Sequence, residues 1–296
     1  MKKIRVLMAA LILLLSTCAC AAPEQPAQVA ATTLPVYEFT VRICEGANIS
    51  VTQLVTESVS CLHDYSLNTR QVRAAESAEL VIINGAGLED FMEELLHGKP
   101  VVDCSEGIQL IESRSEHNHD HEATSHDEHH HDADPHIWLA PENAIRMAEN
   151  ICAGLSAHYP NHKETFEKNL SALVTELEAL QAYGDETLKA LECRELITFH
   201  NGFAYLAQSF DLTILEAIEE ESGSEASAAE LKHLIQEVRH HDLPAIFTES
   251  LGSVSAAQII AAETGASVHS LNMAMYGESY FSAMYHNINT LKEALE

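Results

Sequence analysis

The sequence predicts an α/β protein of two lobes, each a small parallel sheet flanked by helices, joined by a long connecting helix. Three observations carry that prediction. Short apolar runs alternate with helix-like stretches across residues 29–158. The alternation returns across residues 194–296. Between them, residues 159–193 hold one long helix-favouring stretch with a single apolar stripe. A chain of 296 residues suits two units of ordinary domain size.

The elements follow in order. Lys2, Lys3 and Arg5 precede an apolar run from Val6 to Leu15 and then small residues from Ser16 to Ala22. That pattern predicts a lipoprotein-type signal peptide over residues 1–20, with an Ala/Gln/Pro-rich tether over 21–28. Cys20 is the expected lipidation site and Cys18 the second choice; cleavage after Ala21 or Ala22 is the plain alternative. No later stretch is apolar for long enough to span a bilayer. Strands are expected at Val29–Leu34, Ser50–Val55, Leu80–Asn84 and Pro100–Cys104, with helices at Val36–Cys44, Thr69–Ser77 and Glu89–His97 between them. A helix begins near Pro141. The connecting helix runs from Asn161 to Leu191, with Leu170, Leu173, Val174, Leu177 and Leu180 on one face and a possible break at Tyr183-Gly184. In the second lobe, strands fall at Leu196–Phe199, Leu212–Leu215, Ala245–Thr248 and Ser267–Leu271. Helices fall at Gly202–Phe210, Ala228–His240, Ser255–Thr264 and Ser279–Leu295, with Gly265 a C-cap.

Charge narrows the function. Against 16 Lys and Arg stand 45 Asp and Glu, a formal net charge of -29. Such a surface repels nucleic acid and draws cations. Seven histidines (His117, His119, His121, His126, His129, His130 and His131) crowd into an acidic loop over residues 116–133. Imidazole and carboxylate are ligands for borderline divalent metals, and almost nothing in the loop is apolar enough to be buried. A merely solvated loop is the competing reading. Cys44, Cys61, Cys104, Cys152 and Cys193 are odd in number and lack a CxxC pair, so packed thiols are expected rather than a disulfide framework or structural zinc.

Beyond the loop, His63 follows the second strand, His136 sits in Asp134-Pro135-His136-Ile137-Trp138-Leu139, His200 ends a strand and Glu249 ends another. The carboxyl edge of a parallel sheet is where ligands bind, so His200 and Glu249 share a rim by topology. A lone histidine is usually structural; several at loop–strand junctions favour a metal site in the cleft between lobes.

These segments resemble the solute-binding proteins of bacterial zinc ABC importers, in the zinc/manganese group. The likeness covers nearly the whole mature chain. Thr33-Leu34-Pro35-Val36-Tyr37-Glu38-Phe39, His63-Asp64-Tyr65 and Gly85-Ala86-Gly87-Leu88-Glu89 resemble the first lobe of that family. Asp134–Leu139 with Pro141-Glu142-Asn143-Ala144 is the most specific motif, and Ile197–His200 and Phe247–Ser250 resemble the second-lobe signatures. The resemblance implies His63, His136 and His200 as metal ligands, and a loop that gathers metal. Manganese-type members present a carboxylate where His200 stands, and imidazoles suit Zn²⁺ better than Mn²⁺. Two departures stand out. Leu62 precedes His63 where a Pro is frequent, and no acid lies near Leu271 and Asn272. A fourth ligand is left to water, Glu249 or His269, in that order of preference with the first two level. The implied role is capture of Zn²⁺ outside the membrane and delivery to an ABC permease with its ATPase, by a lipid-anchored monomer that is not an enzyme. A manganese carrier, or a surface metal buffer or adhesin, is the alternative. A zinc hydrolase built on the same histidines is the other rival, and neither HExxH nor GxSxG occurs.

Overall fold

In the computed structural model, residues 27–58, 62, 65–112, 133–200, 202–219, 226–250 and 254–296 are described, with backbone alone at 200, 218 and 219. The leader with Cys18 and Cys20, His63 and the seven loop histidines lie outside the described residues.

Two parallel four-stranded sheets are present. The first holds β1 (Val29–Ala31), β2 (Val51–Gln53), β3 (Leu80–Ile83) and β4 (Val101–Asp103) in the order β2-β1-β3-β4. The second holds β5 (Glu195–His200), β6 (Thr213–Glu219), β7 (Ala245–Glu249) and β8 (Ser267–Leu271) in the order β6-β5-β7-β8. The two halves therefore share one winding. In each, chain direction across the sheet reverses beside the first strand, between β1 and β3 and between β5 and β7. Crevices open at such switch points, outside the carboxyl ends of the strands.

Helices α1 (Leu34–Ile43), α2 (Thr69–Ser77) and α3 (Glu93–Leu96) belong to the first lobe. Helices α4 (Pro141–His158) and α5 (Lys163–Leu188) lead to the second, which carries α6 (Ala204–Ser209), α7 (Ala228–His240), α8 (Ser255–Thr264) and α9 (Tyr280–Leu295). Three helices match their expected limits because their ends are written locally. Asn68 and Gln71 form a reciprocal capping box at α2, and Ser227 and Glu230 form another at α7. Gly265 ends α8 with a left-handed φ of 85°.

Three expectations need correction. The first strand stops at Ala31, and Leu34 opens α1, because Pro35 in the first helical turn fixes φ there. The helix expected over Glu89–His97 is a 3-10 turn, Asp90–Met92, followed by the single-turn α3; the Glu89 side chain points into the protein instead of starting a helix. Gly184 does not break the connecting helix, and α5 runs unbroken to Leu188. A Cβ on Gly184 would lie 2.2 Å from Cε1 of Phe210, so glycine there admits the second lobe's ring against the helix.

The principal core is continuous across both lobes. It joins Val29, Phe39 and Leu80 to Trp138, Leu173 and Leu177, and on to Phe247, Leu271 and Met284. Ala30, Val81 and Ala75 seal the outer face of the first sheet, and Ile197, Ile246, Leu234 and Ile260 that of the second. Helix α5 has 26 residues, so it spans about 39 Å, packed against α1, α4 and α9. Among the described residues no helix is long and apolar enough to cross a membrane.

Candidate metal centre

Residues 134–138, just ahead of α4, lie at the seam of the lobes and are held from both. Oδ1 of Asp134 accepts the backbone N–H of His136 at 2.9 Å and faces its Nδ1 at 2.7 Å. His136 is 2% exposed. A buried carboxylate beside Nδ1 assigns the proton to that nitrogen and leaves the ring's lone pair on Nε2. This is the arrangement in which a carboxylate orients a metal-binding imidazole.

Around that pair, the backbone is braced by residues far away in the chain. Nδ2 of Asn84, after β3, donates to the carbonyl of Pro135 at 2.9 Å. The hydroxyl of Tyr205, in α6, donates to the carbonyl of Asp134 at 2.9 Å. Nε1 of Trp138 donates to the carbonyl of Met273 at 2.7 Å, and the Tyr280 hydroxyl donates to the carbonyl of Trp138 at 2.9 Å. Tyr280 itself is tied to the first lobe, where its backbone N–H meets Glu38 at 2.6 Å and its ring meets Phe39 edge-on at 5.0 Å. Asn84 belongs to the first lobe; Tyr205, Met273 and Tyr280 belong to the second. Breaking the seam would strand several buried polar groups at once, each costing about 1–3 kcal/mol.

Glu89 holds the rim of the first sheet. Its Oε1 accepts from the Thr32 hydroxyl at 2.6 Å and the Asn84 N–H at 2.8 Å, and its Oε2 from the Gly85 N–H at 3.0 Å. Burial pushes its pKa up to about 7, while the three donors pull the other way. The ends of β1 and β3 are thereby locked together at the switch point, and Asn84 is aimed at Pro135.

The described residues on either side of His63 are anchored. Leu62 is buried, and its carbonyl accepts the Tyr65 N–H at 3.0 Å. The Tyr65 hydroxyl donates to Glu57 at 2.6 Å, and Nε2 of Gln71 reaches Glu57 at 2.8 Å and the Leu54 carbonyl at 2.9 Å. The Tyr65 hydrogen bond leads in holding the Glu57 carboxyl below its ordinary range. His63 lies outside the described residues, as does Cys61.

In the second lobe, His200 is the last residue of β5 and Glu249 the last of β7. Thr198 pairs with Phe247, so two residues further on the backbones of His200 and Glu249 stand level at the carboxyl rim. Glu249 is buried there. His269 pairs with Phe247, two residues back from the rim, and its Nε2 meets the Ser267 hydroxyl at 3.0 Å. That contact turns its ring toward the opposite end of β8. Among the described residues no three His, Cys, Asp or Glu side chains gather closely enough to hold a metal. The His63 and His200 rings are not among them.

Glu112 and Ala133 form an antiparallel bridge, which closes the base of the segment holding the loop histidines. Cys44, Cys104 and Cys152 are buried, with burial raising each thiol, Cys44 to about 12, so they are inert packing groups. Sequence reasoning missed Tyr205, Asn84 and Glu89 as parts of this region. Asp134 carried a readable signal, an acid two residues before a candidate ligand; Tyr205 carried none.

The family model described as zinc-uptake complex component A, periplasmic, matches residues 29–294. The zinc-binding lipoprotein AdcA of Streptococcus pneumoniae is 30% identical over 317 residues, covering 100% of this chain. The chain spans 62% of the length of that relative. The high-affinity zinc uptake system protein ZnuA of Bacillus subtilis is 30% identical over 280 residues, 90% of this chain and 87% of its own. The crystal structure of the Zn(II)-bound ZnuA-like domain of Streptococcus pneumoniae AdcA superposes with a TM-score of 0.75 at 27% identity, over 91% of this chain and 98% of that one.

Proposed function

Because the chain belongs to the family of periplasmic zinc-uptake components, we propose that it captures Zn²⁺ outside the cytoplasmic membrane and delivers it to an ABC permease with its ATPase. The observation that carries this reading is His136, buried at the seam between lobes with its Nδ1 held by Asp134. A buried imidazole whose ring is fixed in direction by a carboxylate is suited to ligate a cation.

His63 and His136 from the first lobe and His200 from the second are the three ligands. Glu249 or a water takes the fourth place, and the contact of His269 with Ser267 supports ranking His269 behind them. Neutral imidazoles favour Zn²⁺ over Mn²⁺. Binding needs all three rings unprotonated, so affinity falls in mild acid. No bond is made or broken in the cargo, and the protein is not an enzyme. The braced seam and continuous core allow only small lobe movements on loading. The seven loop histidines gather zinc weakly and pass it inward. The division into lobes 29–158 and 194–296 about a connecting helix of 159–193, and a lipid anchor at Cys20 on a monomer, complete the proposal.

Competitive titration of untagged protein against a chromophoric zinc chelator tests it. One tight site is expected, lost in the His136→Ala/His200→Ala double variant. An unchanged affinity in that variant removes the site. Deleting residues 116–131 should lower the zinc stoichiometry and leave the tight site in place.

A further inference from the structure

The hydroxyl of Tyr205 lies where three parts of the protein meet. Tyr205 is the second residue of α6, five positions beyond His200, and its ring is 1% exposed. The hydroxyl accepts the Ile111 N–H at 2.9 Å and donates to the Asp134 carbonyl at 2.9 Å. The Asp134 N–H in turn donates to the Ile111 carbonyl at 2.8 Å. A closed ring of three hydrogen bonds therefore grips the peptide groups on both sides of the Asp134 Cα. The side chain so gripped is the one whose Oδ1 holds both N–H groups of His136.

We propose that Tyr205 is a positioning residue for the cargo site, fixing the His136 imidazole through Asp134; this rests on the zinc-binding reading above. The carboxylate can aim Nδ1 only if its own backbone cannot rotate. The Asp134 N–H is held by a first-lobe carbonyl, whereas its C=O is held by a second-lobe hydroxyl. The second lobe thus sets the direction of a ligand that belongs to the first. The Ile111 and Asp134 positions also bracket residues 113–132, so the same hydroxyl ties the base of the histidine-rich segment to the ligand's support.

Packing alone would predict a different outcome, and a mutant cycle separates the two. Zinc affinity is measured by chelator competition in the full chain, for wild type, Tyr205→Phe, Asp134→Ala and the double variant. Tyr205→Phe keeps the ring and removes both hydrogen bonds of its hydroxyl, and should raise the zinc Kd by about fivefold, the part of that loss that reaches the metal ligand's support. In the Asp134→Ala background the same change should add under about twofold, because the route has already been cut. A wild-type Kd in Tyr205→Phe, or an equal loss in both backgrounds, overturns the proposal. A second readout uses the metal-free protein. The His136 Nδ1–H signal in NMR should be protected from exchange in wild type and exchange faster in Tyr205→Phe; an unchanged rate is equally fatal. If Tyr205→Phe folds too poorly to study, 3-fluorotyrosine at 205 keeps the shape and alters the hydroxyl, and it too must shift that rate. Wild-type protein that binds no zinc defeats the cargo reading, and the exchange experiment then decides the positioning claim alone.

Discussion

Glu89 offers a test in which burial and hydrogen bonding pull in opposite directions. Its pKa rises from an ordinary 4.5 to about 7 in the fold, with desolvation the first cause and the Thr32, Asn84 and Gly85 donors opposing it. A carboxyl whose folded pKa is raised adds stability that is fully present below 4.5 and is lost as the pH climbs through 7. The gap corresponds to about 3 kcal/mol over the whole range, most of it between pH 5 and 8. Glu89→Gln removes the titration. It also turns an NH₂ group toward one of the donors, and with Gly85 N–H on Oε2 the cost is about 1–3 kcal/mol at any pH. Urea unfolding of zinc-free protein at several pH values gives both numbers. The margin of wild type over Glu89→Gln should shrink by about 2–3 kcal/mol from pH 5 to 8. A margin that stays flat, or grows with pH, would show that the three donors outweigh burial and that the carboxylate is the preferred form throughout.

Three further outcomes follow from the same contacts. Asp134→Ala should weaken zinc binding by about 10–100-fold in a chelator competition, since the His136 ring loses the group that orients it. Trp138→Phe removes the bond to the Met273 carbonyl while keeping most of the buried ring, and should lower unfolding stability by about 1–3 kcal/mol in denaturant melts. Gly184→Ala forces a Cβ to within 2.2 Å of the Phe210 ring and should cost about 1–3 kcal/mol, read as a lower Tm, although alanine is the better helix former.

Much of the architecture is written in local signals. The alternation of apolar runs and amphipathic stretches announced both parallel sheets, and α2, α7 and α8 kept their expected ends because Asn68, Ser227 and Gly265 mark them. Elements shifted where distant atoms decided the conformation. Glu89 looks like the start of a helix until the Thr32 hydroxyl and two backbone donors draw its carboxylate inward. Gly184 looks like a helix break until Phe210 is placed against it. The β6 strand continues to Glu219, past the apolar run that first suggested it.

The candidate site divides along the same line. The Asp134–Leu139 segment is dense enough in its own residues to be picked out. Its supports are not, because Asn84, Tyr205 and Met273 lie 51, 71 and 135 positions from the groups they hold. Tyr280 is a fully buried aromatic, and its hydroxyl also closes the seam on the Trp138 carbonyl. A tyrosine at an unremarked position in a short helix carries no sign of its partner. Only folding brings that hydroxyl to Asp134.

The most direct measurement is a crystal structure of the full chain with one equivalent of Zn²⁺, with anomalous scattering collected at the zinc edge. One strong peak is expected at the seam, about 2.0–2.1 Å from Nε2 of His136 and from one ring nitrogen each of His63 and His200. A peak confined to the histidines of residues 117–131, or one at the seam without nitrogen from all three rings, would contradict the account.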